Sequence, residues 1–568
     1  MKRIRFPQFA GVALIGLTAV LSIRAIQPSG TYFEVTKHLE ILMSVFKGVH
    51  EFYVEEPEPG TLMGVAIDAM LDELDPYTVY YPESRIEDLR FMNTGEYGGI
   101  GALVQPIDGR MTVIEVYGGY PAHEAGIVPG DVVRSVDGRD LGEGADMEEV
   151  GDLLQGESGS ELTIGIDRPY GGGFIEFEVA RAKVRVPAVT YSGMLDDKTG
   201  YIYLSKFTRG SAGEVRKALM ALRDSAGMEN LIFDLRGNGG GLLNESVSIV
   251  NLFVPKGTEI VSTKGKSEKW NKSYKALGRP TAPDMPLVVL IDGKSASASE
   301  IVSGTLQDLD RALIVGMESF GKGLVQQTKD MAFNTRLKVT VAKYYTASGR
   351  CIQRLDYGGK RNAQGKAIAV SDSLLRTFET IGGRPVIEGR GIQPDIEVET
   401  PFMSTLMERL ISDFEVFDFA TKVSSSLDSS DVPDPVSYGL SDDTWSGFQT
   451  HLEQAGFEYS TQSMVVLNDL AEVLEIEQYD GVAADAMKAL TSSIEPNLER
   501  DLNLFEAEIK QAIEEEVVLR YHLAAGMVER SLAQDPTVLR AQKAFGDELI
   551  SIIGEGRPTE TEQEVPKR

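Results

Sequence analysis

Residues 230–241 read NLIFDLRGNGGG, an apolar strand-like run followed by a polar turn and three successive glycines. Around this segment, strand-like and helical runs alternate at 200–205, 212–226, 230–235, 243–252, 287–291, 297–309 and 312–315. Because strands that alternate with helices are joined by crossover connections, the pattern predicts an α/β domain with a mainly parallel sheet. We place this domain at residues 184–400.

The segments that flank the α/β domain have different patterns of apolar residues and glycines. Residues 28–94 carry apolar residues at helical spacing, whereas residues 95–183 contain short β-rich runs separated by glycines. Residues 401–568 lack the alternation, read as mostly helical, and carry 33 acidic against 12 basic residues. The sequence therefore predicts a multidomain α/β protein with a helical N-terminal segment, an inserted β-rich domain and a helical, acidic C-terminal region.

The first 27 residues have the plan of an export signal. Lys2, Arg3 and Arg5 precede an apolar run from Phe9 to Ile23, which is the order of a secretory signal. The run is shorter than the ~20 residues that a membrane-spanning helix prefers, and no clean cleavage site follows it. A cleaved signal peptide and a retained membrane anchor both remain open. In either case the rest of the chain is expected to be exported, either into the periplasm or anchored in the membrane and facing it.

The composition excludes several classes of protein. A formal charge of -30 over 568 residues argues against nucleic-acid binding, which requires a basic surface. The single cysteine, Cys351, excludes an intrachain disulfide framework and a multi-cysteine metal site. All five histidines lie outside residues 184–400, so the α/β domain cannot supply a Ser-His-Asp triad by itself. No metal or organic cofactor is expected.

Two motifs in the α/β domain allow both a catalytic and a purely structural interpretation. The glycine turn at 237–241 can direct backbone N–H groups at an anion, or it can be a tight turn and nothing more. Residues 294–302 read KSASASEIV and place Ser297 at the start of a helix, where the helix dipole favours negative charge on an attacking oxygen. Ser297 and Glu300 also fit a Ser-x-x-Glu capping box, which any helix can use.

A third motif, GMESFGKGLVQ at residues 316–326, contains Lys322 between two glycines. Gly316 to Lys322 fits the opening of a nucleotide-binding P-loop. However, Gly323 replaces the required Ser or Thr and a strand-like run follows, so nucleotide binding is not expected. Since histidine is absent from the domain, Lys322 is the remaining candidate for a base that activates Ser297, because apolar surroundings favour its neutral amine.

In order, spacing and residue identity, these motifs resemble those of the carboxyl-terminal processing proteases, also called tail-specific proteases. Members of this family are PDZ-containing Ser-Lys endopeptidases. The matching segments are FDLRGNGGG at 233–241, SASASE at 295–300, GKGLVQ at 321–326, TASGRCIQ at 346–353 and GIQPD at 391–395. The resemblance implies that Ser297 is the nucleophile, that Lys322 is the general base and that Gln326 positions the lysine.

The resemblance also implies an oxyanion hole made by backbone N–H groups. One donor would be Ala298, and the other Gly240 or its neighbour Gly239. Gly239 stands where many members of the family have proline, which leaves the choice of glycine open. Glu300 would either assist the reaction or only cap the helix.

Within the β-rich domain, YGGIGA at 97–102 and AGIVPGDVV at 125–133 resemble a PDZ module. PDZ domains bind a free C-terminal carboxylate through backbone N–H groups and add the ligand to a sheet edge. The resemblance implies a carboxylate loop at 98–101 and a groove helix at 145–154. The implied peptide-binding residues are Gly98, Gly99, Ile100, Gly101, Met147, Val150 and Leu154. Ordinary core packing is the alternative for at least one of the three helix residues.

The sequence thus predicts an exported serine endopeptidase that recognises protein or peptide substrates with free, apolar C-termini. Residues 401–568 are candidates for binding an adaptor protein or for self-association. The alternative function is a catalytically silent PDZ scaffold that binds protein C-termini.

Overall fold

The computed structural model describes residues 30–362, 365–399 and 403–554, and the chain divides into two compact units after Tyr80. The N-terminal unit contains helices α1 (Gly30–Phe52) and α2 (Pro59–Asp72), and strand β1 (Val79–Tyr81) follows at the division. Within the described ranges, no helix is long and apolar enough to cross a membrane. The predicted export signal, residues 1–27, lies outside the described residues.

The segment that resembles a PDZ domain folds around an antiparallel sheet. Its elements are α3 (Ile86–Thr94), β2 (Glu96–Gly99), β3 (Ala102–Ile107), β4 (Arg110–Val116), α4 (Pro121–Ala125), β5 (Val132–Val136), β6 (Arg139–Asp140), α5 (Met147–Leu154), β7 (Glu161–Arg168), β8 (Gly173–Ala180) and β9 (Ala182–Arg185). The strand order is β3-β4-β5-β7-β8, with β6 on β5, while β2 pairs separately with β9. Strand β3 therefore lies at one edge of this sheet.

The next region alternates strands and helices. Its elements are β10 (Val189–Met194), β11 (Thr199–Leu204), α6 (Ser211–Ala226), β12 (Asn230–Asp234), α7 (Leu243–Val250), β13 (Glu259–Gly265), β14 (Lys272–Lys275), β15 (Leu287–Ile291), α8 (Ala298–Asp308), β16 (Leu313–Gly316), β17 (Leu324–Asp330), β18 (Arg336–Tyr345), β19 (Leu355–Arg361), β20 (Ala367–Ala369), β21 (Thr377–Glu379), β22 (Pro385–Ile387) and β23 (Ile396–Glu397). The central sheet has the order β10-β11-β12-β15-β16-β23. All its pairings are parallel except that of β10 with β11. The predicted α/β class and mainly parallel sheet are confirmed.

The C-terminal region is helical, as predicted. Its helices are α9 (Thr405–Ser412), α10 (Glu415–Ser424), α11 (Asp442–Ala455), α12 (Gln462–Ile476), α13 (Asp480–Ile494), α14 (Leu498–Leu504), α15 (Glu506–Leu532), α16 (Pro536–Ala544) and α17 (Asp547–Ile553). A separate apolar core, which includes Leu410, Phe448 and Val517, joins α9, α10, α11, α14 and α15.

The central sheet is covered on both faces, and the second cover comes from the far end of the chain. Alternate residues of β12, such as Leu231 and Phe233, pack in one core with α6, α7 and α8. Ile232, which points the other way, shares a second core with Val538 of α16 and Leu549 of α17. Parallel sheets require cover on both faces, because their strands are apolar on both sides. The last helices thus complete the α/β core.

A second sheet includes β13, β14, β17 and β18 and carries one side of the candidate site. Strand β18 pairs with β13 at Lys264↔Lys343 and with β17 at Gln326↔Thr340, both antiparallel. Because β17 begins two residues after Lys322, this sheet connects directly to the third motif.

Candidate active site

The glycine turn and the serine motif lie side by side because their strands are neighbours. Strands β12 and β15 are parallel, with Asp234 opposite Leu290, so both segments leave the same edge of the sheet. Asn238, which is fully buried, joins them: its carbonyl accepts the Ala296 N–H at 3.0 Å and the Ser299 hydroxyl at 2.8 Å. Its side-chain amide donates to the Leu204 carbonyl at 2.7 Å, which fixes the turn to β11.

Ser297 lies at the N-terminus of α8 in a strained backbone conformation. Its φ of 54° and ψ of -104° are sparsely populated by residues other than glycine, at a cost of about 1–3 kcal/mol. Both backbone polar groups are held: the carbonyl accepts the Tyr344 hydroxyl at 3.0 Å and the Ile301 N–H at 2.9 Å, and the N–H donates to Glu300. Such strain persists only where the surrounding structure fixes the residue, and it is common at active sites.

Glu300 connects the serine motif to the lysine motif. Its Oε2 accepts the N–H groups of Ser297 at 2.7 Å and Lys322 at 2.9 Å. Its Oε1 accepts the Ser319 hydroxyl at 2.6 Å and the Gly321 N–H at 2.7 Å. Burial raises the pKa of this carboxyl, and the four hydrogen bonds oppose that rise. The side chain therefore does more than cap α8, because three of its four donors belong to another segment.

The structure distinguishes between the two glycines that are candidate donors to the oxyanion hole. The Gly240 N–H donates to Asn238 Oδ1 at 2.9 Å, so it is already engaged. In the described parts of the chain, the N–H groups of Gly239 and Ala298 make no hydrogen bond. Gly239 is exposed, and a Cβ added to it would meet no atom within 4 Å, which leaves room for a substrate carbonyl.

Lys322 follows Gly321, whose φ of 88° is in the region that favours glycine. A Cβ on Gly321 would lie 2.6 Å from the side chain of Arg354, so the turn also requires glycine for space. Gln326 lies four residues further along, in β17, and donates to Thr340 Oγ1 at 3.2 Å. The two segments that carry Ser297 and Lys322 are therefore brought together by Glu300, while Gln326 is anchored to β18.

Of the carboxylate loop implied at 98–101, only Ile100 and Gly101 lie outside a strand, and all of it except Gly98 is buried. Gly98 and Gly99 lie in β2 and pair with Lys183 and Ala182 of β9. Ile100 is buried in the core of the PDZ-like sheet, and its carbonyl accepts the Ala122 N–H at 2.8 Å. Gly101 has a φ of 80°, which is in the region that favours glycine.

The predicted groove helix begins at Met147, two residues later than expected, with Asp146 as its N-cap. Met147 is half exposed, whereas Val150 and Leu154 are buried in the domain core. The core-packing alternative therefore applies to two of the three helix residues. This leaves Met147 as the one of the three that a ligand could reach.

Comparisons with known proteins agree with this architecture. A carboxy-terminal-processing protease of Bartonella bacilliformis is 34% identical over 354 residues, which are 61% of this chain and 79% of that protein. The chain belongs to the carboxy-terminal-processing protease family. A probable CtpA-like serine protease of Staphylococcus aureus is 30% identical over 403 residues, 70% of this chain and 73% of that protein.

The matching family descriptions follow the domains. Peptidase family S41 matches residues 198–359, a PDZ domain matches 112–168, and the C-terminal helical domain of a probable PDZ-protease matches 406–545. Among solved structures, the photosystem II D1 C-terminal processing protease is 26% identical and covers 63% of this chain and 92% of its own, with a TM-score of 0.32. The family matches and the two relatives show a serine-type peptidase with a PDZ domain.

Two contacts of the site have no signature in the local sequence. Tyr344 reaches the Ser297 carbonyl from 47 residues away, at the end of a strand, and is fully buried. Ser319 precedes the lysine motif and bonds both Glu300 and the Ile392 N–H, at 2.6 and 2.7 Å. The spacing within each motif could not reveal either contact, because the fold alone brings these segments together.

Proposed function

We propose that the protein is an exported serine endopeptidase in which Ser297 and Lys322 form a catalytic dyad and the PDZ domain holds the substrate's C-terminus. The observation that carries this proposal is the Glu300 carboxylate, which binds the backbone of both residues through one oxygen. A buried carboxylate at this position fixes the nucleophile segment and the base segment relative to each other. A hydroxyl is a weak nucleophile, and holding it in a fixed position relative to its base makes it effective in catalysis.

The proposed reaction has two steps. Ser297 Oγ attacks the peptide carbonyl carbon while Lys322 Nζ takes the hydroxyl proton, and the negative charge collects on the carbonyl oxygen. The N–H groups of Gly239 and Ala298 are suited to stabilise this oxyanion, since both lack partners in the described chain. Lys322 then gives its proton to the leaving amine, and an acyl-enzyme ester remains on Ser297.

Water completes the cycle. It attacks the ester carbonyl, loses a proton to Lys322, and the second tetrahedral intermediate collapses with return of that proton to Ser297 Oγ. The residue Gln326 acts as a positioning residue near Lys322 through its anchorage to Thr340 on β18.

Substrate recognition is assigned to the PDZ domain. The edge strand β3 offers a place for an added ligand strand, and Ile100 and Gly101 connect β2 to it. In the described chain the Ile100 N–H has no partner, and it is therefore a suitable donor to a C-terminal carboxylate. Apolar C-termini suit the exposed Met147 of the adjoining helix.

The site of action is proposed to be outside the cytoplasm. The support is the order of Lys2, Arg3 and Arg5 before the apolar run that ends at Ile23. A cleaved product would be periplasmic, and an uncleaved one would be anchored with its domains facing the periplasm. Cell fractionation of the full-length chain, with and without residues 1–27, tests this assignment.

Cleavage of an unstructured protein with an apolar C-terminus tests the dyad. Wild type should cut it, whereas Ser297→Ala and Lys322→Ala should each lose the activity, and exposed Ser248→Ala and Lys217→Ala serve as matched controls. Cleavage that survives in either dyad variant overturns the dyad. Binding of the C-terminus without any cleavage by wild type would instead support the silent scaffold.

Two further measurements separate the remaining parts of the proposal. Amidation of the substrate's C-terminus removes its carboxylate and should raise KM if the PDZ domain reads that group. Mass spectrometry after rapid acid quenching should detect the acyl group on a peptide that contains Ser297. Equal KM for free and amidated substrates contradicts the PDZ role only, because the dyad does not depend on it.

A further inference from the structure

The sheet beside the active site is basic, in contrast to the rest of this acidic chain. The paired segments 259–275 and 324–345, which contain β13, β14, β17 and β18, carry nine Lys and Arg against three acidic residues. The whole protein has 56 basic against 86 acidic residues. The sheet therefore presents a local excess of positive charge, and we call it the basic sheet.

The lysines of the basic sheet are not neutralised by the protein's own carboxylates. Within the described residues none of its eight lysines forms an ion pair, and only Arg336 does so, with Asp330 at 3.0 Å. The lysines concerned are Lys264, Lys266, Lys269, Lys272, Lys275, Lys329, Lys338 and Lys343. Elsewhere in the chain acidic partners are abundant, so this lack of pairing is a local property.

Aromatic rings take the place of carboxylates beside three of these lysines. Lys269 and Lys329 both lie 5.0 Å from the centre of the Trp270 ring, and Lys264 lies 4.3 Å from that of Tyr345. A cation held against a ring keeps its charge available to a further partner. The aromatic contacts thus order the lysines without cancelling their charge.

Like charges also meet directly across the strands. Lys264 of β13 pairs with Lys343 of β18 in the ladder, so both side chains point to the same face. Directly opposed like charges destabilise a sheet. Lys338, on the same strand, is partly buried and has its pKa lowered by that burial. Two unfavourable placements in one sheet are accounted for if an anion occupies it during function.

The basic sheet is continuous with the catalytic groups. Lys343 directly precedes Tyr344, whose hydroxyl bonds the Ser297 carbonyl at 3.0 Å. Lys338 lies on the same face of β18 as Thr340, which bonds Gln326. Lys343 points to the opposite face of β18 from Tyr344, so it is strand β18, and not a single face, that links these lysines to Ser297 and Gln326.

We infer that the basic sheet binds an acidic segment of the substrate chain, so that the protease favours polypeptides with Asp and Glu near the bond that is cut. This inference rests on the proposed function and names its substrate class. A flexible acidic polypeptide fits better than a rigid polyanion, because the lysines are distributed over both faces and the connecting hairpin of a narrow sheet. The attraction steers the substrate to the site and lowers KM, while the chemistry at Ser297 is unchanged.

A set of three matched reporters tests the inference. Each is the same unstructured polypeptide with the same apolar C-terminus, and a window upstream of the cut contains Glu, Gln or Lys. Wild type should cut the Glu reporter with kcat/KM about tenfold above the Gln reporter at low salt, through KM, and high salt should remove the difference. Equal rates for the Glu and Gln reporters overturn the inference.

Charge variants assign the effect to the basic sheet. Lys264→Gln with Lys343→Gln should lower kcat/KM for the Glu reporter and leave that for the Gln reporter unchanged. Lys264→Glu with Lys343→Glu should shift the preference to the Lys reporter. The matched control, Arg216→Gln with Lys217→Gln, removes two exposed cations from α6 and should keep the wild-type preference. If the control and the sheet variant lose the preference alike, only the total charge matters and the inference fails.

Binding by Ser297→Ala keeps this inference separate from the protease function. Fluorescence anisotropy with the Glu, Gln and Lys windows as labelled peptides reads the basic sheet without any cleavage. Preferential binding of the Glu peptide without cleavage by wild type contradicts the proposed protease but supports the acidic-segment surface. Tighter binding of a single-stranded oligonucleotide or of anionic lipid vesicles than of the Glu peptide overturns the choice of an acidic polypeptide.

Discussion

Tyr344 donates a hydrogen bond from its hydroxyl to the carbonyl oxygen of Ser297 over 3.0 Å. Burial raises the pKa of this hydroxyl well above its ordinary value, so it remains a donor at every physiological pH. The bond holds the carbonyl of a residue whose φ of 54° is unfavourable. Tyr344 is therefore a positioning residue for the proposed nucleophile and does not itself take part in proton transfer.

Tyr344→Phe should keep the fold and weaken the active site. Loss of one buried hydrogen bond costs about 1 kcal/mol of stability, while relaxation of Ser297 should lower kcat about tenfold or more. Urea unfolding and steady-state kinetics measure the two effects. Tyr191→Phe, a partly buried tyrosine of β10, is the control and should change neither. An unchanged kcat in Tyr344→Phe would contradict the positioning role.

Glu300→Gln should damage both stability and activity. Each oxygen of the Glu300 carboxylate accepts hydrogen bonds from two donors, four in total. A glutamine has only one oxygen and would present its NH2 group, itself a donor, to the other two. Two buried donors left unsatisfied predict a loss of about 2–4 kcal/mol. The kcat should fall at least about 100-fold at temperatures where the variant is folded, because the two catalytic segments lose their common anchor.

Glu245→Gln separates the anchoring role from general destabilisation. Glu245 of α7 is also a partly buried carboxylate that accepts backbone N–H groups, those of Gly210 and Ala212 at 3.0 Å, but it holds the start of α6 and not a catalytic segment. Its glutamine variant should lose stability and keep kcat. If both variants lose stability while neither loses kcat, Glu300 only supports the fold.

The fold class and the motifs could be predicted from the sequence, because both depend on local residue patterns. The segment 230–241 predicted a strand and a turn, and strand β12 ends within it at Asp234, directly before the turn. The capping pattern of Ser297 and Glu300 was also visible. The other three donors to Glu300 come from 19 to 22 residues further along the chain, and no local pattern could indicate them.

Long-range packing accounts for the rest. The sequence predicted an α/β domain at residues 184–400. It did not indicate that α16 and α17, which lie beyond residue 535, pack on the sheet of that domain. Short amphipathic helices cover any apolar face equally well, so their sequence does not identify the surface they cover. For the same reason Val150 and Leu154 could not be assigned from sequence to a ligand groove or to the core.

Leu523 should be important for holding the PDZ domain against the C-terminal helices. It lies at a kink in α15 with a φ of 60° and packs against the core of the PDZ domain. Leu523→Ala removes this partly buried contact and should lower the free energy of unfolding by about 1–2 kcal/mol. Hydrogen exchange in β4 and in the loop at Gly118 should become faster, since a Cβ on Gly118 would lie 2.6 Å from Leu523. Leu539→Ala, a partly exposed leucine of α16, should leave these exchange rates unchanged.

The same interface should weaken as the pH rises. Glu115 of β4 is partly buried, and burial, followed by the nearby charge of Glu516 on α15, raises its pKa above the ordinary 4.5. A raised pKa in the docked state means that docking favours the protonated form. The contribution is therefore fully present below the ordinary pKa and is lost as the pH rises through the raised one. Hydrogen exchange of β4 should be slower, after correction for intrinsic rates, at about pH 5 than at about pH 8.

Glu115→Gln should remove this pH dependence and tighten the contact at neutral pH, because the amide cannot ionise beside Glu516. The exposed Glu176→Gln on β8 removes the same charge from the PDZ domain and should leave the pH dependence as in wild type. Protection of β4 that increases with pH in the wild type, or that keeps its pH dependence in Glu115→Gln, would show that another group controls the contact between the two domains.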